Sequence, residues 1–415
     1  MLTREQQNTL TRVGAGTPAG ELLRRYWFPV AATCELRPAS AMPVRLLGED
    51  LALFRTSAGT LGLLEARCPH RGASLAYGVV DECSLRCAYH GWRFDAAGAC
   101  LELPALGGDD PRLRQRARAR AYRVQELGGL VFAYLGPEPA PLLPRYDLFV
   151  WDGVLRDVGR ALLPCNWLQI MENSVDPTHL EWLHGRHLAA VRGAAALSVP
   201  TRYGRRHEDI GFDVFRYGII KRRVLAGGSR ADEDWRVGHP LIFPCMVRVG
   251  AGRQHRFQIR VPVDDTHTLH FWYSCYRPRD AAPVPVQDAV PVYDVPFRDE
   301  CGGFLLDFVD GGDIMTWVSQ GAIADRTREM LVDTDSGIVL FRRLLFEQIE
   351  RVRAGEDPLG TVRSPQENER IDLPQERDKY GPGDAFLAES IAMSHVRYSP
   401  IREQILACLG LVAES

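Results

Sequence analysis

The sequence has no stretch of 18 or so consecutive apolar residues, about the length a helix needs to cross a bilayer, so no membrane span is expected. It has little excess charge: 50 basic residues against 53 acidic ones leave a formal net charge of −3, which excludes the basic footprint of a nucleic-acid-binding chain. Cysteine is sparse, 10 in 415 residues, far below the density of a disulfide-stapled scaffold. There is no internal repeat and no low-complexity tract. With 46% hydrophobic and 25% charged residues, the chain is not a disordered one. The opening MLTREQQNTLTRVGAG lacks the apolar core of a signal peptide. The twin arginine Arg24-Arg25 is followed only by a short apolar run broken at Pro29, so the cytoplasm is the expected compartment. There, clustered cysteines read first as metal ligands.

What is present changes character along the chain. Thr3 with Gln6 forms a capping box for a short helix. From about residue 41, short apolar runs alternate with turn residues such as those at 48–50 and 58–59, the pattern of a small all-β unit. The segment 135–149 carries four prolines and reads as a linker. Beyond it come a helical stretch at 166–187, a series of alternating strand-like runs including 209–226, and a long helix at 336–353 that Gly355 should stop.

Two constellations carry chemistry. The first is Cys68-Pro-His70 and, sixteen residues further on, Cys87-Ala-Tyr-His90. One Cys and one His on each of two tight loops can converge on one site. A tetrahedral zinc site needs four such ligands but usually pairs like with like. A Rieske [2Fe–2S] cluster needs two thiolates on one iron and two histidines on the other. Cys83 and Cys100 lie off this pattern and are expected to be small buried apolar residues.

The second constellation is the string from Glu172 to His184, which holds Asp176, His179 and His184. Five residues separate the histidines, about 140° on a regular helix, so they share a face only if that helix is widened or broken. Asp176 lies three residues before His179 and on its side. His187 is a rival ligand. A third ligand must come from elsewhere, and Asp307, Asp310 and Asp313 are the candidates.

These residues resemble a known family. CPHRGASLAYG and CAYHGWRFDAAGAC resemble the two cluster loops of Rieske non-haem iron ring-hydroxylating oxygenases. Gly72 and Gly91 would let the backbone turn so that amides approach the sulfurs, and Trp92 and Phe94 would cover the cluster. The Asp176–His184 string is similar to the family's D-x-x-H-x4-H signature, in which two histidines and a later carboxylate form a facial triad on Fe(II). The block GGDIMTWVSQGAIADRTREML resembles the C-terminal block of the phthalate and chlorobenzoate dioxygenase branch, which places the third ligand at Asp313. Gly312 and Val318 depart from that block, while Gly321, Ile323, Asp325, Arg326 and Glu329 hold the register. Asp325 and Arg326 read as a structural ion pair at a helix start.

The resemblance implies an α+β chain. Residues 1–40 would belong to the catalytic body and 41–148 would form an all-β Rieske domain. Residues 149–415 would form a mononuclear-iron catalytic domain, an antiparallel sheet covered by helices. It implies a [2Fe–2S] cluster feeding electrons to Fe(II), O2 as co-substrate, and Asp176 linking this iron to the Rieske histidine of a neighbouring subunit in a trimer or a hexamer of stacked trimers. The lone GAGTPAG at 14–20 follows a helix and is no dinucleotide fingerprint. NAD(P)H and flavin are therefore expected on a separate iron–sulfur flavoprotein reductase. The expected reaction is dihydroxylation of a substituted aromatic acid. The alternatives are monooxygenation or O- or N-demethylation by the same family, or a Rieske electron carrier without oxygenase activity. Arginines in or beside the strands, of which Arg205, Arg223 and Arg248 are singled out, could hold a substrate carboxylate. The cavity is expected between the strands and a helix around residue 200.

Overall fold

Thr3 opens helix α1 (Arg4–Thr11) with the reciprocal bonds of a capping box, its hydroxyl accepting from the Gln6 amide and the Gln6 side chain from its own. Helix α2 (Pro18–Leu23) follows, with Thr17 as cap and proline at its first position. The chain is seen in a computed structural model that describes residues 1–104, 110–193, 202–279, 284–375 and 384–411. The helix expected around residue 200 lies largely outside the described residues.

The first β unit contains β1 (Trp27–Ala32), β2 (Ser40–Leu46), β3 (Glu49–Arg55) and β4 (Leu61–Glu65). Four short strands follow, β5 (Val79–Val80), β6 (Leu85–Arg86), β7 (Arg93–Phe94) and β8 (Cys100–Glu102), and then β9 (Ala121–Leu127) and β10 (Leu130–Tyr134). Six of them form a sheet in the order β1-β10-β9-β4-β3-β2, and β5 to β8 form a second, smaller sheet. Strand β1 runs antiparallel to β10, Trp27 opposite Tyr134 and Ala32 opposite Leu130. The unit therefore begins earlier than the boundary expected at residue 41, because burying Phe28, Val30 and Ala32 ties this segment to the sheet.

After the proline-rich linker, β11 (Leu155–Leu163) leads into helix α3 (Trp167–Val175). The strands β12 (His207–Phe215), β13 (Gly218–Leu225), β14 (His239–Ile242), β15 (Met246–Ala251), β16 (Gln254–Pro262), β17 (Thr268–Tyr276) and β18 (Val292–Asp294) complete the second large sheet. Its order is β12-β13-β14-β15-β16-β17-β11-β18, antiparallel throughout except for β11 with β18. The run 209–226, continuous in the sequence pattern, is the hairpin of β12 and β13 turning at Arg216-Tyr217. Helices α4 (Val309–Ser319) and α5 (Ser336–Arg353) complete the body, and Gly355 follows α5 with a φ of +80°. Both N-terminal helices pack against α5.

Register fixes what each face of the large sheet does. Lys221 lies opposite His239, Val247 opposite Gln258, and Arg260 opposite His270. Side chains alternate, so this face is rich in polar groups, while Phe257, Ile259, Val261, Phe271 and Tyr273 point the other way. That apolar face joins one core with Phe28, Val30 and Phe132 of the first β unit. Phe149 bridges the two, its ring 5.4 Å from Phe132 and 5.0 Å from Phe257.

Burial also sets an acid limit. His255 lies against Trp151 with a ring separation of 5.1 Å, and its Nε2 pairs with the Gly252 carbonyl. Burial, aided by Arg248 and opposed by the Gly252 carbonyl, pulls its pKa down to about 4. Burial likewise holds His270 well below the ordinary range. An unfolded histidine binds its proton near pH 6.5, so between roughly 6.5 and 4 the unfolded chain takes up protons that the folded one refuses. Stability is then full above about pH 6.5 and is lost as pH falls, by on the order of 3 kcal/mol for one such group. Thermal melts should show Tm declining from pH 7 to 5, with a shallower decline in His255→Gln. An unchanged slope in that variant contradicts the assignment.

Candidate metal centres

The two cysteine loops of the first β unit are built alike. The Cys68 amide donates to Ala73 O at 2.9 Å and the Gly72 amide returns to Cys68 O at 2.9 Å. Cys87 and Trp92, then Gly91 and Cys87, repeat that pattern at 2.8 and 3.0 Å. The turns need Gly72 and Gly91, whose φ values are +73° and +71°. Cys68 and Cys87 are buried, with Phe94 in the same small core, while His70 is exposed and His90 half-buried. The two imidazole rings lie 4.4 Å apart, and Trp92 stacks on His70 at 4.5 Å and 9°.

Burial pushes the Cys68 thiol up to about 11, against the pull of the His70 amide, and the Cys87 thiol beside it adds to the rise. The amides that face this sulfur belong to His70 and Arg71, whereas the Gly72 and Gly91 amides close the loops themselves. Two adjacent buried sulfurs beneath two adjacent surface imidazoles suit a [2Fe–2S] group of mixed ligation. Cys100 is buried as expected, but Cys83 is exposed, because its amide is drawn into a turn capped by Asp81.

The second constellation sits where α3 ends. Asp176 is the C-terminal cap of α3, and Leu180–His187 then form a π-helix. This wider turn brings residues five apart onto one side, which is what His179 and His184 require. The His179 Nδ1 pairs with the Asp176 carbonyl at 2.7 Å, which leaves its Nε2 as the free nitrogen. Both Nε2 atoms face Asp313 Oδ1 of α4, at 3.9 Å from His179 and 3.2 Å from His184. The three groups lie within 4.8 Å of one another and can hold a metal ion. Asp313 Oδ1 is buried with no hydrogen-bond partner among the described residues, as a ligand oxygen facing two imidazoles would be. The rival aspartates are engaged elsewhere, Asp307 with Arg397 and Asp310 with the His395 amide. His187 ends the π-helix and is not part of the cluster.

Asp176 keeps one carboxylate oxygen on the amide and hydroxyl of Thr178, both at 2.7 Å. Burial raises its pKa, and the His179 ring and Thr178 more than offset this, taking it to about 2. The group is therefore a carboxylate at neutral pH.

A cleft of about 740 Å³, measured to its open mouth, borders the cluster. His179, His184 and Asp313 line one side, and Lys221, His239, Gln258 and Arg260 the other. Of the three arginines singled out from the sequence, only Arg223 lines it, held by Asp234 at 2.9 Å. Arg205 is exposed, with its guanidinium on the Ala226 carbonyl. Arg248 points to the other face of β15, where it pairs with buried Asp147 at 2.7 Å. Arg260, passed over among the strand arginines, is the one fully buried at the cleft. No signal in the sequence alone marked it, because only the register of the sheet shows which strand arginines face the cleft.

Comparison with known proteins agrees with this geometry. Residues 26–118 match the Rieske [2Fe-2S] domain, and residues 306–372 match a LigXa C-terminal domain like model. The chain is 41% identical over 377 residues to the 5,5'-dehydrodivanillate O-demethylase oxygenase subunit of Sphingobium sp. (strain NBRC 103272 / SYK-6), covering 90% of this chain and 87% of that one. It is 30% identical over 400 residues to the phthalate 4,5-dioxygenase oxygenase subunit of Pseudomonas putida, covering 87% and 89%. The chain belongs to the Rieske non-haem iron oxygenases. Its fold is also that of Pseudomonas putida CBB5 NdmA, with a TM-score of 0.59 at 20% identity, covering 80% of this chain and 93% of that one. Within the family it stands in the phthalate dioxygenase-like branch as an oxygenase subunit. The cofactors of the family are the Rieske cluster and a mononuclear iron that works with O2.

In this Rieske oxygenase the body beneath the second centre is pinned by a buried ionic triad. Glu172 of α3 accepts from Arg326 at 2.7 and 2.9 Å and from Arg342 of α5 at 2.7 Å. Burial raises the Glu172 pKa, and the two guanidinium groups, Arg326 first, more than offset it. Arg326 is thus no partner of Asp325, which pairs with Arg4 and caps Thr327, and no helix starts there. The expected pair fails because Arg326 is drawn into the core by Glu172. Removing one member of a buried ionic group costs about 3–5 kcal/mol. Glu172→Gln should lower the unfolding free energy read from denaturant titration by that order. A change below about 1 kcal/mol would show that the triad pins nothing.

Proposed function

We propose that this chain is the terminal component of a multicomponent oxygenase acting on an aromatic carboxylate, with O-demethylation as the reaction. The observation that carries the substrate class is Arg260. It is 1% exposed, its Nη atoms donate to the carbonyl and side chain of Gln258 at 2.9 and 2.8 Å, and its Nε has no partner among the described residues. Burial, opposed by Asp313, lowers its pKa to about 9, so it stays charged at neutral pH. A buried guanidinium beside an open cleft is completed by an anionic partner, and a carboxylate is the group its planar fork fits. The reaction follows the relative at 41% identity, the oxygenase subunit of a 5,5'-dehydrodivanillate O-demethylase. Ring dihydroxylation, the reaction expected first, is the second reading, favoured by the phthalate and 3-chlorobenzoate dioxygenase subunits at 30% and 31% identity.

In this reading His179, His184 and Asp313 hold the mononuclear iron, and Cys68, His70, Cys87 and His90 hold the cluster. Bound together, the two centres supply stepwise electron delivery and O2 activation. The protein's own part is to hold and orient. The Asp176 carbonyl keeps the proton of His179 on Nδ1, so that Nε2 can coordinate. Arg260 and the cleft walls anchor the acid end of the substrate and present its far end to the triad.

The exposed His70 and Tyr89, with the half-buried His90, form one tip of the molecule, and Trp182 stands exposed on the π-helix beside the triad. A head-to-tail ring would seat one subunit's tip against the next subunit's π-helix, with Asp176 between the two centres; a trimer closes such a contact. Electrons come from a separate iron–sulfur flavoprotein reductase using NAD(P)H.

Turnover of 3-methoxybenzoate with a surrogate reductase should release formaldehyde in step with NADH use. A cis-dihydrodiol without formaldehyde selects the second reading, and neither product refutes the aromatic-acid proposal. Arg260→Gln should raise KM for the acid about tenfold or more, the scale of one charge-assisted hydrogen bond, and leave KM for the corresponding amide unchanged. Asp176→Asn should keep both metals and lose turnover. Normal turnover in that variant, or loss of its iron, sinks the linking role.

A further inference from the structure

Helix α4, which carries Asp313, begins without a side-chain cap: Phe308 stands at its N-cap and makes no such bond. One orphan amide of its first turn and two carboxylates beside it are met by one short stretch near the end of the chain. The Val309 amide donates to the Met393 carbonyl at 2.9 Å. The His395 amide donates to Asp310 Oδ2 at 2.8 Å. The Arg397 guanidinium meets both oxygens of Asp307, at 2.8 and 3.0 Å. Asp307 and Asp310, which compete with Asp313 when only the sequence is read, are therefore the handles by which this stretch grips α4.

The grip is anchored to the sheet. His395 is fully buried, its Nε2 3.2 Å from Ser274 Oγ of β17 and its Nδ1 3.1 Å from Arg256 of β16. Its ring stacks on Trp272 at 5.2 Å and 20°. Arg256 and Ser274 are register partners on the polar face that also carries Arg260, the floor of the cleft. Asp310 and Asp313 are three residues apart and share one side of α4, so a shift of the first turn moves the ligand carboxylate with it. Ligand groups must be held to within about 0.5 Å to keep a productive geometry.

We infer that Met393–Arg397 is a clamp that sets the position of Asp313, and that Asp310 and His395 are positioning residues of the iron site. This rests on the proposed assignment of Asp313 as an iron ligand, and the clamp lies outside the segment 306–372 that matches a family model.

The test is anaerobic titration of Fe(II) into full-length protein stripped of mononuclear iron but retaining its cluster, with EPR of the nitric oxide adduct as a second readout. Asp310→Ala and Arg397→Ala should each weaken Fe(II) binding about 10- to 100-fold, the range for partners that orient a ligand, and change the adduct signal while the cluster absorbance stays the same. Asp147→Ala breaks a buried ion pair on the far face of the sheet and serves as a destabilised control that should bind Fe(II) within about twofold of wild type. If Asp310→Ala does not fold, Arg397→Ala carries the test, since its ion pair is only partly buried. Fe(II) affinity within twofold of wild type in the clamp variants overturns the inference, as does an equal loss in Asp147→Ala. A wild-type chain that takes up no Fe(II) overturns the site assignment itself, and the clamp with it.

Discussion

Two imidazoles five residues apart have to reach one point, and the backbone yields to that requirement. A regular helix would leave His179 and His184 about 140° apart. The π-helix Leu180–His187 narrows that angle, and one carboxylate from a distant helix then faces both rings. Everything around this convergence keeps the wider turn in place. Glu172, held between Arg326 and Arg342, fixes α3 immediately before it. Glu181, inside the π-helix, accepts from the His207 ring at 2.7 Å and so ties it to the start of β12. Asp176 stands at the junction, its carbonyl on the His179 ring and its carboxylate, 19% exposed, held by Thr178.

The large sheet separates two tasks by alternation. One face presents Lys221, His239, Gln258 and Arg260 to a cleft with the triad on its far side. The other presents aromatic and aliphatic residues that share a core with the cluster-bearing β unit. The chain thus keeps its two centres on separate layers of one body. Burying that shared apolar face fixes the units relative to each other, whereas His70 of the first centre is exposed and His90 half-buried.

Much of this was legible in the sequence, for physical reasons. Cys68 with His70 and Cys87 with His90 sit on two tight loops that can converge on one site, the flanking residues supplied the resemblance that chose the cluster over zinc, and Gly72 and Gly91 stand at positive φ. The need to distort the helix at His179 and His184 followed from angle alone. Asp313 came from a resemblance, not from spacing, because a ligand more than a hundred residues away leaves no local pattern. The misses share a cause. Arg326 and Arg248 were read from their neighbours in sequence and the segment Trp27–Ala32 from the resemblance, but each is placed by a partner far along the chain: Glu172, Asp147 and β10. Arg260 was hidden among other strand arginines, since only register tells which of them faces the cleft.

The account depends on one chain carrying two iron centres of different kinds, and an iron and acid-labile sulfide count on wild type and Asp313→Ala tests this most directly. Wild type should hold the two irons and two sulfides of the cluster plus about one further iron, and the variant should lose only that last iron while keeping a Rieske-type EPR signal on reduction. Zinc without sulfide, or an iron count that Asp313→Ala leaves unchanged, would contradict it.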